Sequence, residues 1–254
     1  CPLCLSGDYI YCEDRPDFEQ THGTRDGSAT YAQYLLKPDW LLSPIPEGMS
    51  YEDASLACCA LGPSFGAFQA MGLTAFHRVL ITGLGPVGLR AIVNALYRGA
   101  TPIAVESEPY RVALARTLGV EHVLDPREPD LPAKIKSLTD GRGVDRALDC
   151  AGVIAAQRLC LESTRRRGKI AFIGECQDEL PIRVSPDLIR TGHHVIGSWH
   201  YNLADVGSIF QIIAKSPLIQ HLVSHVMPMS RLQEALELTA SHQTAKVILR
   251  PWEQ

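Results

Sequence analysis

Two groups of residues in the 254-residue chain have the types and spacing for chemistry. Cys1 and Cys4 form a CxxC pair, and Cys12 follows after seven residues. A CxxC turn can bring two thiolates to one Zn²⁺ at about 2.3 Å each; a third thiolate fills most of a tetrahedral cage and leaves one position to complete. Gly83-Leu84-Gly85-Pro86-Val87-Gly88 matches GxGxxG. In such a loop one glycine permits the tight turn, one lets the backbone approach a pyrophosphate, and one lets the following helix pack close to the strand. Glu106 follows Gly85 by 21 residues, the interval at which an acid meets the ribose hydroxyls of a dinucleotide. A carboxylate there favours NAD, because a 2′-phosphate would face like charge in a partly dry cleft. Arg111 could instead welcome that phosphate, or pair with Glu106 or Glu108, and keeps NADP as a minority outcome.

These residues need a strand ahead of the loop and a helix behind it. Arg78 to Thr82 reads as that strand and Pro86 to Tyr97 as that helix, with Pro86 in the first turn, where a missing N–H costs nothing. Ile103 to Glu106 is the next strand, and Tyr110 to Leu118 a helix closed by Gly119. Strands over His122 to Leu124, Ala147 to Cys150 and Lys169 to Gly174 alternate with helices over Ala133 to Leu138 and Ala155 to Ser163. A strand over Val195 to Ser198 follows, then helices over Asp205 to Ala214 and Arg231 to Thr239. The last strand, Lys246 to Leu249, is expected to leave the sheet. This alternation builds a parallel sheet covered by helices on both faces. His22 to Pro46 reads differently, as short strands and turns, with Gly23, Asp26 and Gly27 in a turn and Tyr31, Gln33 and Leu35 extended. Arg165, Arg166 and Arg167 read as a solvated helix end before Gly168.

Composition narrows the class. With 46% hydrophobic and 20% charged residues the chain can bury a core, which excludes intrinsic disorder for most of its length. A formal charge of −4 supplies no basic field for nucleic acid. No apolar run approaches the about 20 residues that cross a bilayer, and no secretory leader is recognisable, so a soluble cytoplasmic protein without a membrane partner is expected. The chain opens on Cys1 rather than Met and reads as trimmed or processed. Five of the eight cysteines lie in scattered, mostly apolar surroundings and read as reduced packing residues. Methyltransferases also combine a glycine loop with an acid after the second strand and form a more distant reading.

Taken in order, the motifs resemble those of the zinc-dependent medium-chain alcohol and polyol dehydrogenases. Cys1, Cys4 and Cys12 are similar to the last three cysteines of that family's structural zinc lobe, which places the first three residues upstream of Cys1. Asp26 to Tyr34 resembles a strand of its catalytic domain, Ile45 to Ala54 its linker, Ile81 to Gly88 and Glu106 to Arg111 its nucleotide fingerprint, and Thr244 to Leu249 its closing strand. The resemblance implies an α/β fold: a doubly wound parallel Rossmann sheet with remnants of a β-rich GroES-like catalytic domain. Residues 1–54 would be part of that catalytic domain, 55–190 the dinucleotide-binding domain, and 191–254 its end and the return. It implies NAD and Zn as cofactors, hydride transfer between an alcohol or polyol and NAD with zinc as Lewis acid, and a homo-oligomer paired through the sheet edge near Val195 to Trp199. Gly83, Gly85, Pro86, Val87, Gly88, Glu106 and Arg111 would bind the nucleotide.

Register against the family puts Cys59, rather than Cys58, at its third catalytic zinc ligand. Its other two ligands and its proton-relay hydroxyl would precede Cys1, so no proton-transfer residue is assigned within the chain. Pro63 and Ser64 replace the usual Thr-Gly-like pair. His22, His77, His193, His194 and His200 lack ligand spacing to Cys59 and are read as structural or surface histidines. Ser198 to Asn202 somewhat resembles a segment of polyol dehydrogenases. Two alternatives stay open: a zinc-free quinone-reductase-like enzyme, and a non-catalytic NAD-binding protein.

Overall fold

Val79 to Ile81, Ile103 to Val105, Ala147 to Leu148 and Ile170 to Ala171 are all buried, and such unbroken apolar runs fit strands covered on both faces. In the computed structural model, which describes residues 1–27 and 30–253, each lies in a strand of one six-stranded parallel sheet. Four short helices come first: α1 (Pro2–Leu5), α2 (Phe18–His22), α3 (Tyr51–Ala54) and α4 (Gly62–Met71). The alternating region follows as β1 (Arg78–Thr82), α5 (Pro86–Tyr97), β2 (Thr101–Val105), α6 (Pro109–Thr117), β3 (His122–Leu124), α7 (Leu131–Ser137), β4 (Val144–Asp149), α8 (Ile154–Ser163), β5 (Thr164–Phe172) and β6 (His194–Gly197). Then come α9 (Val206–Lys215), β7 (His225–Pro228), α10 (Leu232–Ala240) and β8 (Val247–Arg250). The strand order is β3-β2-β1-β4-β5-β6, so the winding reverses between β1 and β4, the switch point where doubly wound sheets bind ligands.

Alternate residues of β1 face opposite layers, as the two-residue period requires. Val79 and Ile81 join the core formed with α4, α5 and α9, through Phe68, Ile92 and Ile209. Leu80 joins the core under α7 and α8, through Ile135 and Leu159. The last strand does leave this sheet: β8 pairs in parallel with β7 in a separate two-stranded unit.

Three sequence expectations need correction. The extended stretch at Tyr31, Gln33 and Leu35 forms no ladder with any described strand; a strand needs a neighbour for its N–H and C=O groups. Instead, Gln33 Nε2 donates to the Pro251 carbonyl at 3.0 Å and Tyr34 packs edge-on against Trp252. Ser28 and Ala29, within the expected 26–34 strand, lie outside the described residues, as does Gln254. Second, β7 was not anticipated, because four residues containing a proline carry too short an alternation. Third, Arg165 to Arg167 follow the end of α8 but belong to β5. Arg165 Nε donates to Asp145 at 2.6 Å, and the ladder to β4 shifts register beside it.

Two local devices secure the layers around the glycine loop. Gly83 adopts a left-handed φ of 75°, and a Cβ on Gly88 would land on the Gly83 carbonyl oxygen. Gly85, by contrast, faces open space. Farther along, Arg158 on α8 grips the buried Asp187 carboxylate with bonds of 2.7 and 2.9 Å, and the Arg183 N–H donates to it at 2.9 Å. These donors hold the Asp187 carboxyl well below the usual carboxylate range, Arg158 foremost.

Gly88→Ala should destabilise the fold by about 1–3 kcal/mol through overpacking, whereas Gly85→Ala should stay within about 0.5 kcal/mol. Urea unfolding midpoints of the two variants check this, and equal shifts would refute the close-approach role of Gly88. A depressed carboxyl pKa contributes stability above the unfolded value, and that stability is lost as pH falls through the folded value. Asp187→Asn should therefore lower the thermal midpoint at pH 7, and the gap to the unmodified protein should close as pH falls below about 4. A gap independent of pH would show that the carboxylate's charge is not what holds the turn.

Candidate functional site

At the carboxyl end of the sheet, Glu106 ties the glycine loop to the start of α6. The Leu84 N–H donates to its Oε2 at 2.8 Å, while the Ser107 and Glu108 N–H groups donate to Oε1 at 2.7 and 3.0 Å. A carboxylate offers about four lone-pair directions, so this clamp leaves one on Oε2. Glu106, Gly83, Ser107, Ala151 and Val153 line a cleft of about 500 Å³ that spans the ends of β2, β1 and β4. The first-turn N–H groups of α5 have no partners within the helix, and they carry the positive end of its dipole.

Arg111 stands beside this clamp. Its Nη1 is 3.9 Å from Glu106 Oε2, its Nη2 donates to His242 Nδ1 at 3.0 Å, and its buried Nε has no hydrogen-bond partner among the described residues. A buried orphan donor next to a carboxylate with a spare lone pair suits a ribose hydroxyl, which can both accept and donate. The residues therefore fit the nucleoside end of a dinucleotide. Sequence reasoning overlooked Asp149, at the end of β4. It accepts from Thr82 Oγ1 at 2.8 Å and from the Ala151 and Gly152 N–H groups, fastening the far wall of the cleft to β1. Burial raises its carboxyl pKa despite those donors. An acid closing an apolar strand run was the available signal.

The three amino-terminal cysteines converge. Ligand atoms of Cys1, Cys4 and Cys12 all lie within 4.8 Å of one another, with the first two sulfurs 3.5 Å apart. A hydrogen bond with Cys12 is the main reason the Cys4 thiol is pushed up. Three soft donors at this separation fit three corners of a zinc tetrahedron. The lobe is docked on the turn after β6: the Ile10 N–H donates to Asn202 Oδ1 at 3.1 Å, and the Trp199 N–H to Tyr11 Oη at 3.1 Å.

Cys58 and Cys59 sit at a kink before α4, and the backbone sends them apart. Cys58 is extended, whereas Cys59 has a left-handed φ of 47°. Cys58 Sγ lies 3.0 Å from Tyr201 Oη. Cys59 Sγ lies 3.7 Å from His200 Nδ1. No spacing along the chain relates His200 to Cys59, 141 positions away, yet folding brings the two together. The Cys59 thiol is pushed up by burial and by Cys58, against the pull of Lys246, whose own pKa burial lowers.

Other histidines have local partners: His22 with the Phe18 carbonyl, His77 with Thr74, and His193 with the Thr164 and Arg165 carbonyls. His194 is exposed on β6. Ser64, at the departure from the family pattern, is buried, donating to the Leu61 carbonyl and accepting from Asn94.

The family model described as zinc-binding dehydrogenase matches residues 86–215. The zinc-type alcohol dehydrogenase-like protein YphC of Escherichia coli is 33% identical over 253 residues, covering 98% of this chain and 70% of that protein. The sorbitol dehydrogenase of Bacillus subtilis is 31% identical over 258 residues, with coverages of 99% and 70%. Among solved structures, an alcohol dehydrogenase from Thermotoga maritima superposes with a TM-score of 0.83 at 26% identity, covering 99% of this chain and 72% of that one. The alcohol dehydrogenase TADH from Thermus sp. ATN1 shares the fold with a TM-score of 0.87 at 23% identity, with coverages of 98% and 74%. Matched over residues 86–215 by the family model and along nearly its whole length by relatives, the chain belongs to the zinc-binding dehydrogenase family.

Proposed function

We propose that the chain is the nucleotide-binding and closing part of an NAD-dependent zinc alcohol or polyol dehydrogenase. The observation that carries this reading is the Glu106 clamp: one buried carboxylate holds the glycine loop and still presents a lone pair to the cleft at the switch point. Gly83, Gly85 and Gly88 shape the loop, Pro86 and Val87 open α5 toward a pyrophosphate, and Glu106 with Arg111 takes the adenosine ribose. NAD is preferred over NADP because a 2′-phosphate would meet a carboxylate that Arg111 only partly neutralises at 3.9 Å.

When bound, zinc supplies a Lewis acid for the alcohol oxygen, and NAD supplies the hydride acceptor. Cys59 offers one thiolate to the catalytic metal, and Cys1, Cys4 and Cys12 hold a structural one. Lys246 keeps a cation beside Cys59, which favours its thiolate. Residues 1–54 carry the lobe and the link, 55–190 the nucleotide domain, and 191–254 its last strand and the return. All eight cysteines are free, which supports a reducing, cytoplasmic setting. The exposed edge strand β6, with Val195 37% exposed, supports pairing into a homo-oligomer. Among the described residues no helix is long and apolar enough to cross a membrane.

Two measurements test this. Glu106→Ala should weaken NAD and narrow the gap to NADP by about 1–3 kcal/mol, since an attractive contact and a repulsive one vanish together. Fluorescence titration with both nucleotides checks it, and an unchanged preference ratio would remove Glu106 from the site. Cys59→Ser should lower the zinc content counted by elemental analysis while Cys58→Ser keeps it. The reverse pattern would move the register by one residue.

A further inference from the structure

We propose that His200 is itself a zinc ligand and forms, with Cys59, a mixed thiolate–imidazole half-site. The inference rests on the reading of Cys59 as a metal ligand and adds a partner for it from the turn after the edge strand β6. Its first support is distance. Tetrahedral Zn²⁺ with a sulfur at about 2.3 Å and a nitrogen at about 2.0–2.1 Å sets those two ligand atoms about 3.5 Å apart. Cys59 Sγ and His200 Nδ1 are 3.7 Å apart. A thiol and an imidazole are also the donor types that zinc selects.

Backbone conformation is the second support. Cys59 and His200 are both non-glycine residues in the left-handed region, at φ 47° and φ 53°. Strained residues of this kind persist where the surroundings over-determine them, and they cluster at functional sites. Here they face each other. The surroundings are specific: a Cβ on Gly62 would land on the Tyr201 ring, and one on Gly66 would lie 3.1 Å from the His200 carbonyl oxygen. Only glycines on that face of α4 let the 200–201 turn come close enough. The turn is anchored from outside by the hydrogen bonds of Trp199 and Asn202 to the cysteine lobe and from inside by Tyr201 against Cys58. The imidazole is thereby preset for a metal rather than recruited by it.

Chemically, the half-site takes Zn²⁺ through the Nδ1 lone pair of neutral His200 and the Cys59 sulfur. The thiol proton leaves to solvent as the metal–sulfur bond forms, and nothing is oxidised or reduced. Water or further ligands complete the coordination.

The test is titration of the metal-stripped 254-residue chain with ¹¹³Cd²⁺, read by ¹¹³Cd NMR. Two signals are expected, one from the three-thiolate lobe and one from the mixed site. Cys59→Ser should abolish the second, and Cys58→Ser should keep both. His200→Ala should shift or abolish the second signal and weaken uptake at that site at least about tenfold, the minimum that loss of even an outer-shell partner costs. Added imidazole should restore it, and the lobe signal serves as the internal control of folding. An unchanged second signal in His200→Ala overturns the inference while leaving Cys59 a ligand; an unchanged signal in Cys59→Ser overturns the metal role of Cys59 as well. A single signal in the unmodified chain, or loss of the lobe signal in His200→Ala, also overturns it. NAD titration is independent of every arm, so the nucleotide reading stands or falls separately.

Discussion

The close approach of α5 to the end of β1 governs this structure. It is possible only because Gly88 has no side chain to strike the Gly83 carbonyl, and it brings the free N–H groups of the helix start to the mouth of the switch-point cleft. Glu106 then answers the turn from the neighbouring strand. Its carboxylate accepts from Leu84 on one oxygen and from Ser107 and Glu108 on the other. Loop, second strand and α6 are thus fastened by a single buried carboxylate, and the same carboxylate lines the switch-point cleft. Charge-assisted bonds to backbone N–H groups are among the stronger hydrogen bonds, which suits a side chain that must hold three segments together.

A second organising centre lies where the kink at Cys58 and Cys59 meets the turn after β6. The turn is held by contacts from three directions: the cysteine lobe, α4 and the kink itself. Two cations lie close by, one half-buried and one fully buried. Lys246 donates to the Ser55 carbonyl, and Arg90, fully buried and pushed down to about 9, donates to the carbonyls of Pro86 and Leu222. Burial disfavours each cation in the same way that it disfavours the Cys59 thiolate.

The sheet was legible residue by residue wherever chemistry and periodicity agreed. Val79 to Ile81 and Ile103 to Val105 could hardly be anything but buried parallel strands, and Pro86 and Gly119 marked helix boundaries through their own backbone limits. The amino-terminal stretch was less legible. Tyr31, Gln33 and Leu35 alternate like a strand, yet β structure is a property of pairs, and no described strand lies alongside them. The arginine run misled for a related reason: Arg165 is set by Asp145 on the adjacent strand, a partner 20 residues away that local charge patterning does not reveal.

The sequence by itself determined the glycine turn after β1, the acid that closes on it, the convergence of Cys1, Cys4 and Cys12, and the parallel sheet. In each case the physics is local: a glycine's conformational freedom, a CxxC turn, a strand's unbroken apolar run. Only the tertiary structure decided that Cys59 meets His200 and Cys58 meets Tyr201, and that Arg111 is held between Glu106 and His242. Those pairs join segments that are more than 100 residues apart except for Glu106 and Arg111. Their distances depend on how closely helices pack on a sheet, through positions such as Gly62 and Gly66, and no spacing along the chain encodes that.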